Sequence, residues 1–107
     1  GDVRDRKVII VDDMIDTAGT LCNAANALVE IGGATEVIAC ATHGVLSGSA
    51  IERINDSCIE ELLLLDTIPY PADKPKSDKI RYLSTAAVFA EAIRRIYEEV
   101  SISNLFE

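Results

Sequence analysis

The chain has 107 residues, 49% of them hydrophobic and 26% charged, a globular balance that leaves room for one domain and sets aside disordered and collagen-like classes. Eighteen acidic against ten basic side chains give a formal charge of −8, and such a field repels nucleic-acid backbones and anionic membrane surfaces. No apolar run approaches the roughly 20 residues of a spanning helix, so a soluble protein is expected.

The first element is Val8-Ile9-Ile10-Val11, a β-branched apolar run that predicts a strand buried on both faces and ending at Asp12-Asp13. After a loop from Met14 to Gly19, Leu21, Ala25, Leu28 and Val29 recur at helical spacing, and Gly32-Gly33 stops the helix. Val37 to Ala41 is the next strand, and Thr42-His43-Gly44-Val45-Leu46-Ser47-Gly48 reads as a loop. A short helix over Ala50 to Ile54 leads to a third strand from Ile59 to Leu65. Tyr70 to Lys79 is a polar loop whose Lys74, Lys76 and Lys79 read as solvated.

Ile80-Arg81-Tyr82 is a short edge strand. Ser84 is then placed as the N-cap of a last helix with Ala87, Phe89 or Ala90, Ile93, Ile96, Tyr97 and Val100 on one face, Phe89 and Tyr97 being assigned to the core. This alternation predicts an α/β fold, a mainly parallel sheet of three to four strands flanked by helices. Ligands in such sheets bind beyond the carboxyl ends of the strands, which directs attention to the loops after Val11, Ala41 and Leu65.

Cys22, Cys40 and Cys58 are odd in number and far apart, and His43 is the one histidine, so the pattern fits small buried thiols in a reducing, cytoplasmic setting better than a disulfide framework or zinc site. His43 reads as a loop or core histidine hydrogen-bonded to backbone. The richest segment is Asp12-Asp13-Met14-Ile15-Asp16-Thr17-Ala18-Gly19-Thr20. Small residues from Thr17 to Thr20 let consecutive backbone N–H groups turn toward one point at the positive end of a helix, which describes a phosphate cradle. Asp12 and Asp13 stand one step earlier, where carboxylates accept hydrogen bonds from neighbouring hydroxyls or hold Mg²⁺. Three carboxylates at one strand end repel one another unless a cation or a donor offsets them.

With its preceding strand, V-I-I-V-D-D-M-I-D-T-A-G-T resembles the phosphoribosyl-binding signature of type I phosphoribosyltransferases and ribose-phosphate pyrophosphokinases. Ala41-Thr42-His43-Gly44, Ser47-Gly48 and Ala50-Ile51-Glu52-Arg53-Ile54 resemble the A-T-H-G-x-x-S-G-x-A-x-x-R-I stretch of the pyrophosphokinases. Ala90-Glu91-Ala92-Ile93-Arg94-Arg95-Ile96 followed by Ser101-Ile102-Ser103-Asn104-Leu105-Phe106 resembles their carboxyl terminus. Three separated motifs thus cover nearly the whole chain.

The resemblance implies transfer of diphosphate from ATP to the anomeric hydroxyl of ribose 5-phosphate, with Mg²⁺, giving phosphoribosyl pyrophosphate and AMP. It implies that Asp16, Thr17, Ala18, Gly19 and Thr20 hold the 5-phosphate, while Asp12 and Asp13 bind the ribose hydroxyls, partly through metal. No residue here need act as a general base, since such transfer needs positioning and charge neutralisation above all. The family's chains are about three times this long, built from two similar halves. Residues 1–107 are therefore expected to be a partial, carboxyl-terminal phosphoribosyltransferase-like domain, inactive alone, with ATP bound by an absent amino-terminal half. The resemblance further implies a homo-hexamer with phosphate and ADP as effectors, in which Ser47, Ser101, Ser103 and Phe106 line a regulatory site between subunits.

Two alternatives share parts of this pattern. A salvage phosphoribosyltransferase shares the D-D-x-x-D-T-A-G-T loop but should carry a base-recognition segment, for which no stacking aromatic follows the loop. A signalling receiver domain would use Asp12-Asp13 as its acidic pair and Asp66 as phosphoacceptor, yet the chain after Asp66 lacks the hydroxyl-ending strand and the later lysine it needs. A noncatalytic homologue fits less well, because both parts of the binding loop are present.

Overall fold

In the computed structural model, which describes residues 1–98, the chain runs β1(Lys7–Ile15), α1(Gly19–Glu30), β2(Glu36–Gly44), α2(Ala50–Asp56), β3(Ile59–Leu65), β4(Ile80–Leu83) and α3(Ala86–Tyr97). The strands form one parallel sheet in the order β1-β2-β3-β4. Each new strand is added on the same side of the last, so right-handed crossovers put both connecting helices on one face. There α1 packs against α2 and over β2 and β3.

The strand pleat sorts the residues accordingly. Val37, Ala39 and Ala41 of β2 and Leu62 and Leu64 of β3 are buried under Leu21, Cys22 and Ala25 of α1 and Ala50, Ile51 and Ile54 of α2. The intervening residues point the other way, where the described residues provide no covering layer. Ile9 is 64% exposed and Val11 78%. The expectation that Val8 to Val11 is buried on both faces is thereby corrected: apolar composition reports that both faces can be covered, and only one is covered here.

Two strands also run further than their apolar cores. Pairing of β1 with β2 continues through Asp12↔Ala41, Met14↔His43 and Ile15↔Gly44, so Asp12 and Asp13 lie within the strand and Thr42-His43-Gly44 belongs to β2 rather than to a loop. Backbone pairing carries both strands past the point where the hydrophobic pattern stops. At the other end of α1, Gly33 takes φ +74°, and its N–H reaches the Val29 carbonyl at 3.2 Å while the Ala34 N–H reaches that of Leu28 at 2.9 Å.

The last helix begins at Ala86, with Thr85 rather than Ser84 in the cap position. Asp66 has already engaged Thr85, accepting its N–H at 2.9 Å and its hydroxyl at 2.8 Å, and Ser84 Oγ accepts the Ala86 N–H at 3.2 Å. The helical spacing is as expected, but Val88, Phe89, Ile93, Ile96 and Tyr97 are exposed, so Phe89 and Tyr97 are not core. Val100, Ser101, Ser103 and Phe106 lie outside the described residues.

The lysines of the 66–79 loop are anchored rather than merely solvated. Lys79 Nζ donates to the Ser57 carbonyl at 2.9 Å and to that of Ile54 at 3.4 Å, satisfying the carboxyl end of α2. Lys74 Nζ donates to the Gly48 carbonyl at 2.6 Å, and Lys76 stands 4.6 Å from the centre of the Tyr70 ring.

Candidate functional site

The carboxyl ends of β1 and β2 lie side by side, and the loops that leave them are bolted together. The N–H groups of Val45 and Leu46 donate to the Ile15 carbonyl at 2.9 and 3.3 Å, and the Ser47 N–H donates to the Asp16 carbonyl at 3.0 Å. The Ser47 hydroxyl donates to the Asp16 carboxylate. Leu46, fully buried, sits at φ 55° to make this approach. The two loops thus form one rim, though they are separated by α1 in the chain.

Within that rim a depression of about 250 Å³ is lined by Asp12 and by the run from Met14 to Leu21. It contains Asp16, Thr17, Ala18, Gly19 and Thr20, the five residues expected to hold a phosphate. Ala18 is buried and takes φ 66°, a left-handed conformation unusual for a residue with a Cβ. That turn delivers the chain into α1 at Gly19. The first hydrogen bond of the helix runs from the Cys22 N–H to the Ala18 carbonyl at 3.0 Å, and no side chain caps the helix start. Among the described residues, the N–H groups of Ala18, Gly19, Thr20 and Leu21 therefore take no acceptor. Four unsatisfied donors at the positive end of a twelve-residue helix are what an anion requires.

Gly19 borders this opening, and a side chain there would point toward Arg53. A Cβ built there would meet only Arg53 Nη1, at 3.7 Å, so nothing in the packing demands glycine. Arg53 itself reaches the loop from behind and donates to the Thr17 carbonyl at 2.9 Å. It was given no role by the sequence, although it stands at a fixed place in the second motif. Its signal is visible only once α2 is seen to run beneath the loop after β1.

The two leading carboxylates are not equivalent. Neighbouring strand residues direct their side chains to opposite faces, and only Asp12 lines the depression. Asp12 accepts the Asp13 N–H at 2.7 Å, and that hydrogen bond holds its pKa below the ordinary 3.8. Donors on Asp12 and Asp16 supply the offset that three clustered carboxylates need. No cluster of three or more His, Cys, Asp or Glu side chains suited to a metal occurs among the described residues.

His43 lies in β2, and its Nδ1 is 2.7 Å from Thr67 Oγ1, whose hydroxyl donates to the Thr42 carbonyl at 3.2 Å. The expected side-chain bond from this histidine to backbone is corrected: its partner is the Thr67 hydroxyl, which the pairing of β3 with its neighbours brings beside β2. Asp66 is occupied by Thr85, and its pKa is lowered by those two hydrogen bonds. The receiver alternative fails on topology. That doubly wound fold places its first strand between the second and third, whereas β1 is here an edge strand beside β2. Among the described residues no helix is long and apolar enough to cross a membrane, and all three thiols are free.

Comparison with known proteins bears on the chain as a whole. The phosphoribosyl synthetase-associated domain family matches residues 1–107. A ribose-phosphate pyrophosphokinase of Clostridium tetani is 63% identical over 107 residues, all of this chain and 33% of that protein. The protein of the same name from Helicobacter pylori is 54% identical over 106 residues, 99% of this chain and 32% of the relative. The crystal structure of phosphoribosylpyrophosphate synthetase from Mycobacterium smegmatis superposes with a TM-score of 0.79 at 40% identity, covering 92% of this chain and 33% of that one. The chain spans about a third of the length of the relatives it matches. The expected placement at the carboxyl end does not follow from this coverage, which is a share of the relatives' length and not a position along it.

Proposed function

The chain belongs to the phosphoribosyl synthetase-associated domain family, and from that membership we propose that it is the ribose 5-phosphate-binding part of a ribose-phosphate pyrophosphokinase. The observation that carries this reading is the row of acceptor-free N–H groups from Ala18 to Leu21 beside the Asp12 carboxylate. An anion on the helix end and a hydroxyl-bearing ring against a carboxylate together describe a sugar phosphate.

In this reading the loop from Asp16 to Thr20 holds the 5-phosphate and Asp12 accepts from ribose hydroxyls, with Asp13 acting from the opposite face of the strand. The anomeric oxygen attacks the β-phosphorus of ATP, the bond from that phosphorus to the bridging α–β oxygen breaks, AMP leaves, and the hydroxyl proton passes to solvent. In the same reading, groups outside these 107 residues bind ATP. Mg²⁺ is commonly held by one or two carboxylates completed by substrate oxygens, so Asp12 with the sugar's own oxygens fits it without a preformed cage. When bound, the ion offsets phosphoryl charge.

The same proposal extends to a cytoplasmic homo-hexamer with phosphate and ADP as effectors, to whose inter-subunit site this chain would contribute Ser47, Ser101, Ser103 and Phe106. The test is an amide NMR titration of the chain with ribose 5-phosphate and Mg²⁺. Saturable shifts centred on Asp12 to Thr20 are expected. A well-dispersed spectrum in which those amides do not move would overturn the reading.

A further inference from the structure

We infer that Arg53 is a positioning residue for phosphate binding, acting through the Thr17 carbonyl and not by touching the ligand. The inference rests on the proposed cradle, whose donors are the N–H groups that follow Thr17. In a planar trans peptide the C=O and N–H point in opposite directions. The bond from Arg53 Nη1 to the Thr17 oxygen, 2.9 Å long, therefore turns the Ala18 N–H away from Arg53.

Arg53 does not line the cradle depression. Gly19 lines two depressions: one shared with Asp12, Asp16 and Thr20, the other shared with Cys22, Asn26 and Arg53. The guanidinium and the proposed anion seat thus meet at one glycine. Arg53 makes no ion pair with a carboxylate among the described residues, so its charge is not spent elsewhere. Ala18 holds a left-handed φ of 66° without the freedom of glycine, a conformation that persists only where neighbouring contacts over-determine it. Below, α2 is fixed by Ile51 and Ile54 in the core, which anchors the backbone from which Arg53 reaches the Thr17 carbonyl. Without it, the Thr17 carbonyl is able to rotate toward the seat and present an oxygen where the phosphate needs a donor.

The experiment compares the wild-type chain with Arg53→Met and Arg53→Lys. Without ligand, the Ala18 amide nitrogen and Thr17 carbonyl carbon should shift in Arg53→Met while the melting temperature stays within a few degrees. Calorimetric titration should show ribose 5-phosphate and inorganic phosphate binding about tenfold more weakly to Arg53→Met, with Arg53→Lys restoring part of the loss and affinity for unphosphorylated ribose unchanged. Unaltered Thr17 and Ala18 shifts, or wild-type phosphate affinity in Arg53→Met, overturns the positioning role and leaves the cradle intact. Equal weakening for ribose and ribose 5-phosphate also overturns it. A folded wild type that binds neither phosphate ligand removes the cradle and this inference together, even if the ligand-free shifts appear.

Discussion

The Ser47 hydroxyl donates to the Asp16 carboxylate across 31 residues of sequence, and in doing so ties the loop after β2 to the loop after β1. Hydrogen bonds to charged groups contribute up to about 3 kcal/mol, and an exposed acceptor such as Asp16 lies at the low end. Ser47→Ala should cost about 1 kcal/mol in urea unfolding. The same variant should loosen ribose 5-phosphate binding, because Asp16 opens the cradle. Wild-type affinity in that variant would show that the rim does not need the bond.

Asp12 and Asp13 should separate in function. Asp12 lines the depression and Asp13 does not. Asp12→Asn should therefore weaken ribose 5-phosphate binding more than Asp13→Asn, with both proteins folded. Equal losses measured by titration calorimetry would mean that the strand pleat does not discriminate the two carboxylates.

Glycine substitutions should divide in the same way between site and core. Gly19→Val directs its side chain at Arg53 and should keep its melting temperature while weakening phosphate affinity, because it displaces Arg53 from the Thr17 carbonyl. Gly44→Ala places a Cβ 2.5 Å from Leu64 Cδ1 in the buried layer and should lose about 1–3 kcal/mol of stability, read by thermal unfolding. The reverse ranking would argue against both assignments.

On α3, Arg94 and Arg95 both hydrogen-bond Glu91 and bring its pKa down to about 2. A carboxylate with a depressed folded pKa contributes stability that is present above its unfolded value, near 4.5, and lost as pH falls through about 2. The carboxyl carbon of Glu91 should titrate in that low range by NMR. Glu91→Gln should flatten the acid dependence of helical ellipticity between those limits. A midpoint near 4.5 would refute the paired geometry.

The uncovered sheet face predicts behaviour in solution. Val11 and Leu83 line one apolar depression with Cys40, Leu63 and Leu65, and Ile9 is exposed beside it in β1, on a parallel sheet, which normally has both faces covered. The 107-residue chain should bind the dye ANS, and Val11→Ser with Leu83→Ser should reduce that binding without lowering stability. Unchanged fluorescence in the double variant would place the apolar surface elsewhere.

Much of this protein is written in one dimension. The alternation of apolar runs with helical spacing determined that the fold is α/β, because pleat and helix periods are local properties of the chain. Asp12 to Thr20 stood out for the same reason: a strand end, small residues and a helix start are adjacent in sequence and remain adjacent in space. The tertiary structure alone decided what crosses between elements. It carried β1 through Asp12 and Asp13 by pairing with β2, set those carboxylates apart by the pleat, and brought Ser47 and Arg53 from the second motif to either side of the first. It also left Phe89, Tyr97 and Val11 exposed. An apolar pattern states what a face is able to bury, whereas burial depends on which other element arrives to cover it.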